Sequence, residues 1–177
     1  MLFARRKGPR VRLAPLLEGG GHERGMRSGT LNLPGIVGLA SALELSGELR
    51  EEEQPRIAAL RDELESRLVA SIGEVEVNGD PGSRLPSTTN LSFGGCDAES
   101  LLRRLERVCA SSSSACTSAS LQPSYVLRAL GLDEERVRGS VRLSLGRDTS
   151  QQQIDEALCE LQAAVERERD EGPIRAC

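Results

Sequence analysis

The sequence of 177 residues has no tryptophan, one tyrosine and two phenylalanines. It therefore offers almost no side chains on which bases could stack. A net charge of -4, with the basic cluster Arg5, Arg6, Lys7, Arg10 and Arg12 confined to the N-terminal stretch, argues further against a nucleic-acid partner. No run of about 18 apolar residues occurs, so no membrane-spanning helix is expected. The opening MLFARRKGPRVR puts only a few apolar residues before its charges, the wrong order for a secretion signal. The expected location is cytoplasmic, with no membrane partner. Histidine occurs once, at His22, and lysine once, at Lys7. A His-based metal site or a Cys–His dyad thus has a single candidate base. The five cysteines, at 96, 109, 116, 159 and 177, include no close pair and no CxxC, so neither a disulfide framework nor a zinc site is expected.

What is present suffices for one core and one domain, or one and a half. Leu2 to Ala4 and Val11 to Ala14 flank a turn at Gly8-Pro9 and predict two short hairpin strands. The glycine-rich GGGHERGMRSGTLN, residues 19–32, predicts a loop defined by its backbone. Asn32 can cap a helix with Ile36, Val37, Ala40 and Leu43 on one face. Gly47 and Pro55 punctuate, and a second helix carries Ile57, Leu60, Leu64 and Leu68. Both stripes are expected in the core. Beyond Gly73, Val75 and Val77 alternate with glutamates, and Thr88 to Phe93 predicts a strand. Asp97 can cap a helix holding Leu101, Leu102, Leu105 and Val108. Pro123 opens a short helix that Gly131 closes. Val141, Leu143 and Leu145 alternate with Arg142 and Ser144, the pattern of a half-buried strand. Ser150 with Gln153 forms a capping box before a last helix. This order predicts an α+β unit, a mostly antiparallel sheet with helices on one face.

Three features carry chemistry. Cys116 lies among serines in CASSSSACTSASLQPSYVLRALG, residues 109–131, whereas a cysteine chosen for packing keeps aliphatic company. Its residues alone leave four roles open: nucleophile, persulfide carrier, redox thiol or structural residue. Arg128 nearby would favour the reactive thiolate. Cys96, Cys109 and Cys159 sit beside or within apolar patterns and are expected to be structural. Cys177 has nothing around it that would activate it. Ser28-Gly29-Thr30, ahead of an apolar helix, can offer hydroxyls and amides to a phosphate, or be a plain turn; the Gly-Lys-Ser/Thr of a Walker A loop is missing. Arg142, on the polar side of its strand, is either a solvated surface residue or a bidentate carboxylate clamp. The role of His22 stays open.

GGGHERGMRSGT (19–30), the cysteine segment and VRLSLGR (141–147), taken together and in this order, resemble the C-terminal half of NifS/IscS-type cysteine desulfurases. The resemblance runs from Leu2 to about Arg169. It implies a fold-type I, pyridoxal-phosphate-dependent homodimer that converts L-cysteine to alanine and passes the sulfur to an enzyme persulfide. It also implies a sulfur-acceptor partner such as an iron–sulfur scaffold, with supply to cluster assembly and thio-modification. By the same resemblance Cys116 is the persulfide-bearing catalytic thiol, open to contact with a partner's cluster. Thr30 reaches the cofactor phosphate across the dimer, and Arg142 holds the substrate carboxylate. Residues 1–45 correspond to a remnant of the large cofactor-binding domain, 46–72 to a connecting helix, and 73–177 to the small C-terminal domain.

The departures matter as much. Ser113 stands where the family usually has glycine, and its C-terminal extension is either missing or replaced by DEGPIRAC. The family's N-terminal half, which carries the stacking histidine, the pyridine-facing aspartate and the Schiff-base lysine, has no counterpart, and Lys7 aligns with a hairpin residue beyond the lysine motif. The expectation is a truncated desulfurase whose isolated chain is inactive, with an exposed apolar face over residues 1 to about 45. The alternative is a non-enzymatic persulfide relay or dimerisation module working with a complete desulfurase.

Overall fold

The structure is a computed structural model that describes residues 3–5, 7–9, 11–112 and 124–174. It divides into two compact units, Met1–Glu48 and Leu49–Cys177.

The first unit contains a single 3-10 turn, Glu23–Gly25, and the opening part of helix α1, Leu33–Ser71. Its described residues form no strand. Among the described residues the expected hairpin comes down to one backbone bond, Val11 N donating to Arg5 O at 3.0 Å. An isolated pair of short extended segments has no third strand or apolar cover to hold it. Asn32 caps α1 as expected, its Oδ1 accepting from Gly35 N at 3.1 Å. The first stripe is not core: Ile36, Val37 and Leu43 are all exposed.

The punctuation expected at Gly47 and Pro55 does not break the helix either. Pro55 lies inside α1, at the cost of one hydrogen bond and a steric conflict of about 3 kcal/mol. Ties on both sides of it hold the helix on course. Glu53 pairs with Arg147 at 2.5 Å. Arg56 donates to the carbonyls of Arg147 and, at 3.0 Å, of Thr149. The second stripe is buried as expected, at Ile57, Leu64 and Leu68, with Leu60 packed against the core.

The second unit is α+β. Strands β1 (Val75–Val77), β2 (Thr88–Phe93) and β3 (Ser140–Ser144) form one antiparallel sheet in the order β1-β2-β3. Helices α2 (Ala98–Arg103), α3 (Tyr125–Ala129) and α4 (Glu134–Arg138) lie between β2 and β3 in sequence, and α5 (Gln151–Glu171) follows. Register places Leu91 opposite Val141 and Val77, and Phe93 opposite Val75. Alternation therefore gathers these apolar side chains on one face. Leu64, Leu68 and Ile72, then Leu101, then Ile154, Leu158, Leu161 and Val165 complete the core against them.

Local chemistry sets the ends. The Asp97 carboxylate accepts from Ser100 N, and Ser150 and Gln153 form the reciprocal capping box. Helix α2 stops at Arg103, short of the expected Leu105 and Val108. The Glu160 carboxylate accepts from the amides of Glu106 and, at 2.9 Å, Arg107, which takes those groups out of a helical ladder. Arg104 turns instead to the buried Glu168, at 2.7 Å. Helix α4 was not expected. Asp133 caps it and Gly139 ends it, a cap-and-stop pattern that LDEERVRG does carry. A Cβ at Gly139 would lie 2.5 Å from the carbonyl oxygen of Phe93, so only glycine lets α4 turn this closely into β3.

Candidate functional site

The opposite face of the sheet is polar. Asn90 and Ser92 of β2 and Ser140, Arg142 and Ser144 of β3 alternate with the core residues and point away from them. Asn78 continues β1 by one position, its N donating to Asn90 O at 2.8 Å. Asn90 is the direct partner of Arg142. Beyond β3, Ser111 bridges to Arg142 through two backbone bonds: Ser111 N to Arg142 O at 3.1 Å, and Arg142 N to Ser111 O at 2.7 Å. A single row therefore crosses the sheet: Asn78, Asn90, Arg142, Ser111. Directly opposed residues share a face and approach closely.

Arg142 is half-buried in this row. No carboxylate among the described residues pairs with it, whereas Arg84 and Arg104 each pair with two and Arg136 and Arg147 each with one. A guanidinium left without a carboxylate on a polar sheet face has the donor geometry for an incoming one. The row ends at Ser111, the entry to the cysteine segment. Ser112 next to it donates to Glu99, and on the far side Ser124 is buried and opens α3. Cys116 itself, with Ser113 and Pro123, lies outside the described residues, as does Cys177.

A network that the sequence reading passed over stiffens the row. Asn78, only 7 % exposed, has its Nδ2 within hydrogen-bond reach of Asn90 Oδ1 and Ser92 Oγ, both at 2.7 Å, and of Ser140 Oγ at 3.0 Å, so its two hydrogens are shared among three acceptors. Its Oδ1 accepts from Arg136 Nε at 2.9 Å. Arg136 also donates to Val77 O at 3.0 Å and pairs with Glu76 at 2.7 Å. The hydroxyls of Ser92 and Ser140 donate to the Arg136 carbonyl. The short helix α4 is thus fixed to the polar face, while α1, α2 and α5 cover the apolar one. The signal for the network was the alternation in TTNLSF, but which residue of β3 faces Asn90 depends on register.

Thr30 belongs to the first unit. It is exposed, and the Arg27 guanidinium gathers the carbonyls of Thr30 and Gly29 at 2.8 and 3.0 Å. Ser28 is the one buried residue of that unit among those described. Its amide donates to Leu17 O at 3.2 Å. His22 is exposed and precedes the 3-10 turn. Glu23 and Arg24 follow at φ of 51° and 60°, a conformation costly for residues with a Cβ. Lys7 is exposed.

Cys96 is buried as expected, and burial pushes its thiol up against the opposing pull of Arg169, so it is held protonated and inert. Cys109 and Cys159 are exposed, which their apolar neighbourhoods in sequence did not predict. Cys159 lines a groove of about 550 Å³ on α5. Two of the groove's carboxylates are already paired: Glu156 with Arg107 of the groove, and Asp155 with Arg67 outside its lining.

A family model described as aminotransferase class-V matches residues 6–157. The chain is 49 % identical over 173 residues to a cysteine desulfurase IscS of Haemophilus influenzae (strain PittEE), covering 98 % of this chain and 42 % of that protein. It is 45 % identical, again over 98 % of its length, to one of Anaeromyxobacter sp. (strain K), of which it covers 43 %. The chain therefore spans less than half the length of these relatives. Among solved structures, a NifS-like protein from Rickettsia africae ESF-5 superposes with a TM-score of 0.75 at 26 % identity, over 88 % of this chain and 41 % of that one. Another NifS-like protein does so at 0.72 and 30 % identity, over 91 % and 40 %.

Proposed function

We propose, since the chain belongs to the aminotransferase class-V family, that it supplies the sulfur-accepting part of a cysteine desulfurase. Arg142 holds the carboxylate of L-cysteine, and Cys116 takes the sulfur. The net change is balanced as enzyme thiol plus L-cysteine giving enzyme persulfide plus L-alanine. The substrate's C–S bond breaks, a proton replaces sulfur on its Cβ, and an S–S bond forms at Cys116. The persulfide then passes to an acceptor protein such as an iron–sulfur scaffold. The observation that carries this reading is the row itself. It sets an arginine without a carboxylate partner among the described residues against the entry to the cysteine segment, in a chain 49 % identical to a desulfurase.

The family is pyridoxal-phosphate-dependent, and that group supplies the electron sink that lets the C–S bond break. The residues of this chain do not fit it as a complete site. Thr30 could meet its phosphate in an assembled homodimer, but Lys7 is exposed, and among the described residues of the first unit no apolar side chain is buried to make a slot for a ring. What the chain contributes is therefore capture and acceptance: Arg142 orients the substrate, and Cys116 is the thiol. Residues 1–45 act as the part that joins the cofactor domain, 46–72 as the connector, and 73–177 as the sulfur-accepting domain.

The purified 177 residues, given pyridoxal phosphate and L-cysteine, are expected to release neither alanine nor sulfide. Supplied with a polypeptide carrying the family's cofactor domain, they are expected to form a persulfide at Cys116, read by alkylation and mass spectrometry and lost in Cys116→Ser. Turnover by the chain alone, or a persulfide that survives Cys116→Ser, would overturn the assignment.

A further inference from the structure

We propose that Asn90 is a second donor for the substrate carboxylate, acting beside Arg142. The inference rests on the desulfurase reading and deepens its substrate site.

A guanidinium can only donate. Arg136 Nε meets Asn78 at 2.9 Å, so the atom it meets must be the Asn78 oxygen. The Asn78 amino group then faces Asn90 at 2.7 Å and obliges Asn90 to answer with its oxygen. One arginine thereby fixes the orientation of two amides in succession. Asn90 is left with Nδ2 as a donor, and among the described residues nothing accepts from it. Its direct cross-strand partner is Arg142, which also only donates. Two donor groups stand in adjacent positions of one row, half-buried, with no carboxylate of the described residues between them. A two-oxygen anion is the group that satisfies both: one oxygen on the guanidinium, the other shared with the amide. The acceptor side of Asn90 is occupied by Asn78, which in turn is held by Ser92, Ser140 and Arg136. The amide is therefore oriented before the substrate arrives, which lowers the entropic cost of binding.

The test is an NMR titration of the full 177-residue chain with L-alanine, the product amino acid, following the Arg142 Nε–H and Asn90 Nδ2–H signals. Both are expected to move together along one saturation curve. Asn90→Leu should weaken binding at least about tenfold, the loss of one charge-assisted hydrogen bond. Asn90→Asp should weaken it more, because the new carboxylate pairs with Arg142. Asn90→Ser, which keeps a donor, should recover part of the affinity. A merely structural role would lower the melting temperature of Asn90→Leu and leave its affinity unchanged, and that outcome overturns the proposal while Arg142 still responds. No response at Arg142 in the unaltered chain would instead overturn the carboxylate-clamp reading, and this proposal with it.

Discussion

Helix α1 runs through both units, and its two parts differ. In the first, Ile36, Val37 and Leu43 are exposed; in the second, Leu64 and Leu68 of that same helix α1 are buried. Every ion pair among the described residues joins partners within residues 49–177. The contrast teaches that helical periodicity says which face is apolar, not what covers it. A stripe becomes core only where another element lies against it. The second unit carries its own cover, in β1–β3, α2 and α5. The first exposes an apolar surface suited to meeting other polypeptide, consistent with a chain that spans 42 % of its desulfurase relatives.

The largest effect that could break this comparison comes from two truncations of the same chemistry. Leu161 is fully buried and Leu43 is 59 % exposed. Leu161→Ala should cost 2–5 kcal/mol, on the order of other core leucine deletions, while Leu43→Ala should change stability by less than about 0.5 kcal/mol. Urea denaturation followed by circular dichroism measures both. Comparable losses at the two sites would mean that the first unit has a core after all.

How far the sequence foretold this depends on whether a feature is local. Strand β2 begins and ends where TTNLSF does, and the Asp97 cap and the Ser150–Gln153 box were legible because each lies within four residues. Pro55 misled because its helix is held by Arg147 and Thr149, about ninety positions away. The alternation in VRLSLGR set Arg142 on a polar face. Finding Asn90 and Ser111 on either side of it required the register of residues 52 and 31 positions away, which no spacing rule supplies. The serine-rich company of Cys116 marked it by composition, and the role proposed for it rests on the resemblance to a family motif alone.

Acid should separate the units next. Burial raises the Glu65 carboxyl, but hydrogen bonds from Arg84 and Thr89, with the charges of Arg84 and Arg61, more than offset this and hold it below the usual carboxylate value of 4.5. Burial likewise opposes, and amides of the 106–108 segment outweigh it, at Glu160. A carboxyl lowered in the folded state contributes stability that is fully present above its unfolded value and lost as pH falls through the folded one. The melting temperature of the second unit should therefore fall as pH drops below about 4.5. Glu65→Gln should start lower at neutral pH and fall less steeply. An equal acid slope in Glu65→Gln would remove Glu65 from the explanation.

The smallest effect tests the comparison at two helix starts built alike. Asn32 and Ser150 each accept from an amide three residues on, Gly35 N at 3.1 Å and Gln153 N at 3.3 Å. As bare caps each is worth about 1 kcal/mol. Helix α5 carries Ile154, Leu158, Leu161 and Val165 into the core, so fraying its first turn loosens packing, and Ser150→Ala should lower global stability by about that amount. The first turns of α1 bury nothing. Asn32→Ala should therefore leave the unfolding midpoint where it was and show only as faster amide exchange over the start of α1. A shift of the midpoint by Asn32→Ala as large as that of Ser150→Ala would mean that the start of α1 unfolds together with the core, and that the exposed half of the helix is coupled to the buried half more tightly than their packing implies.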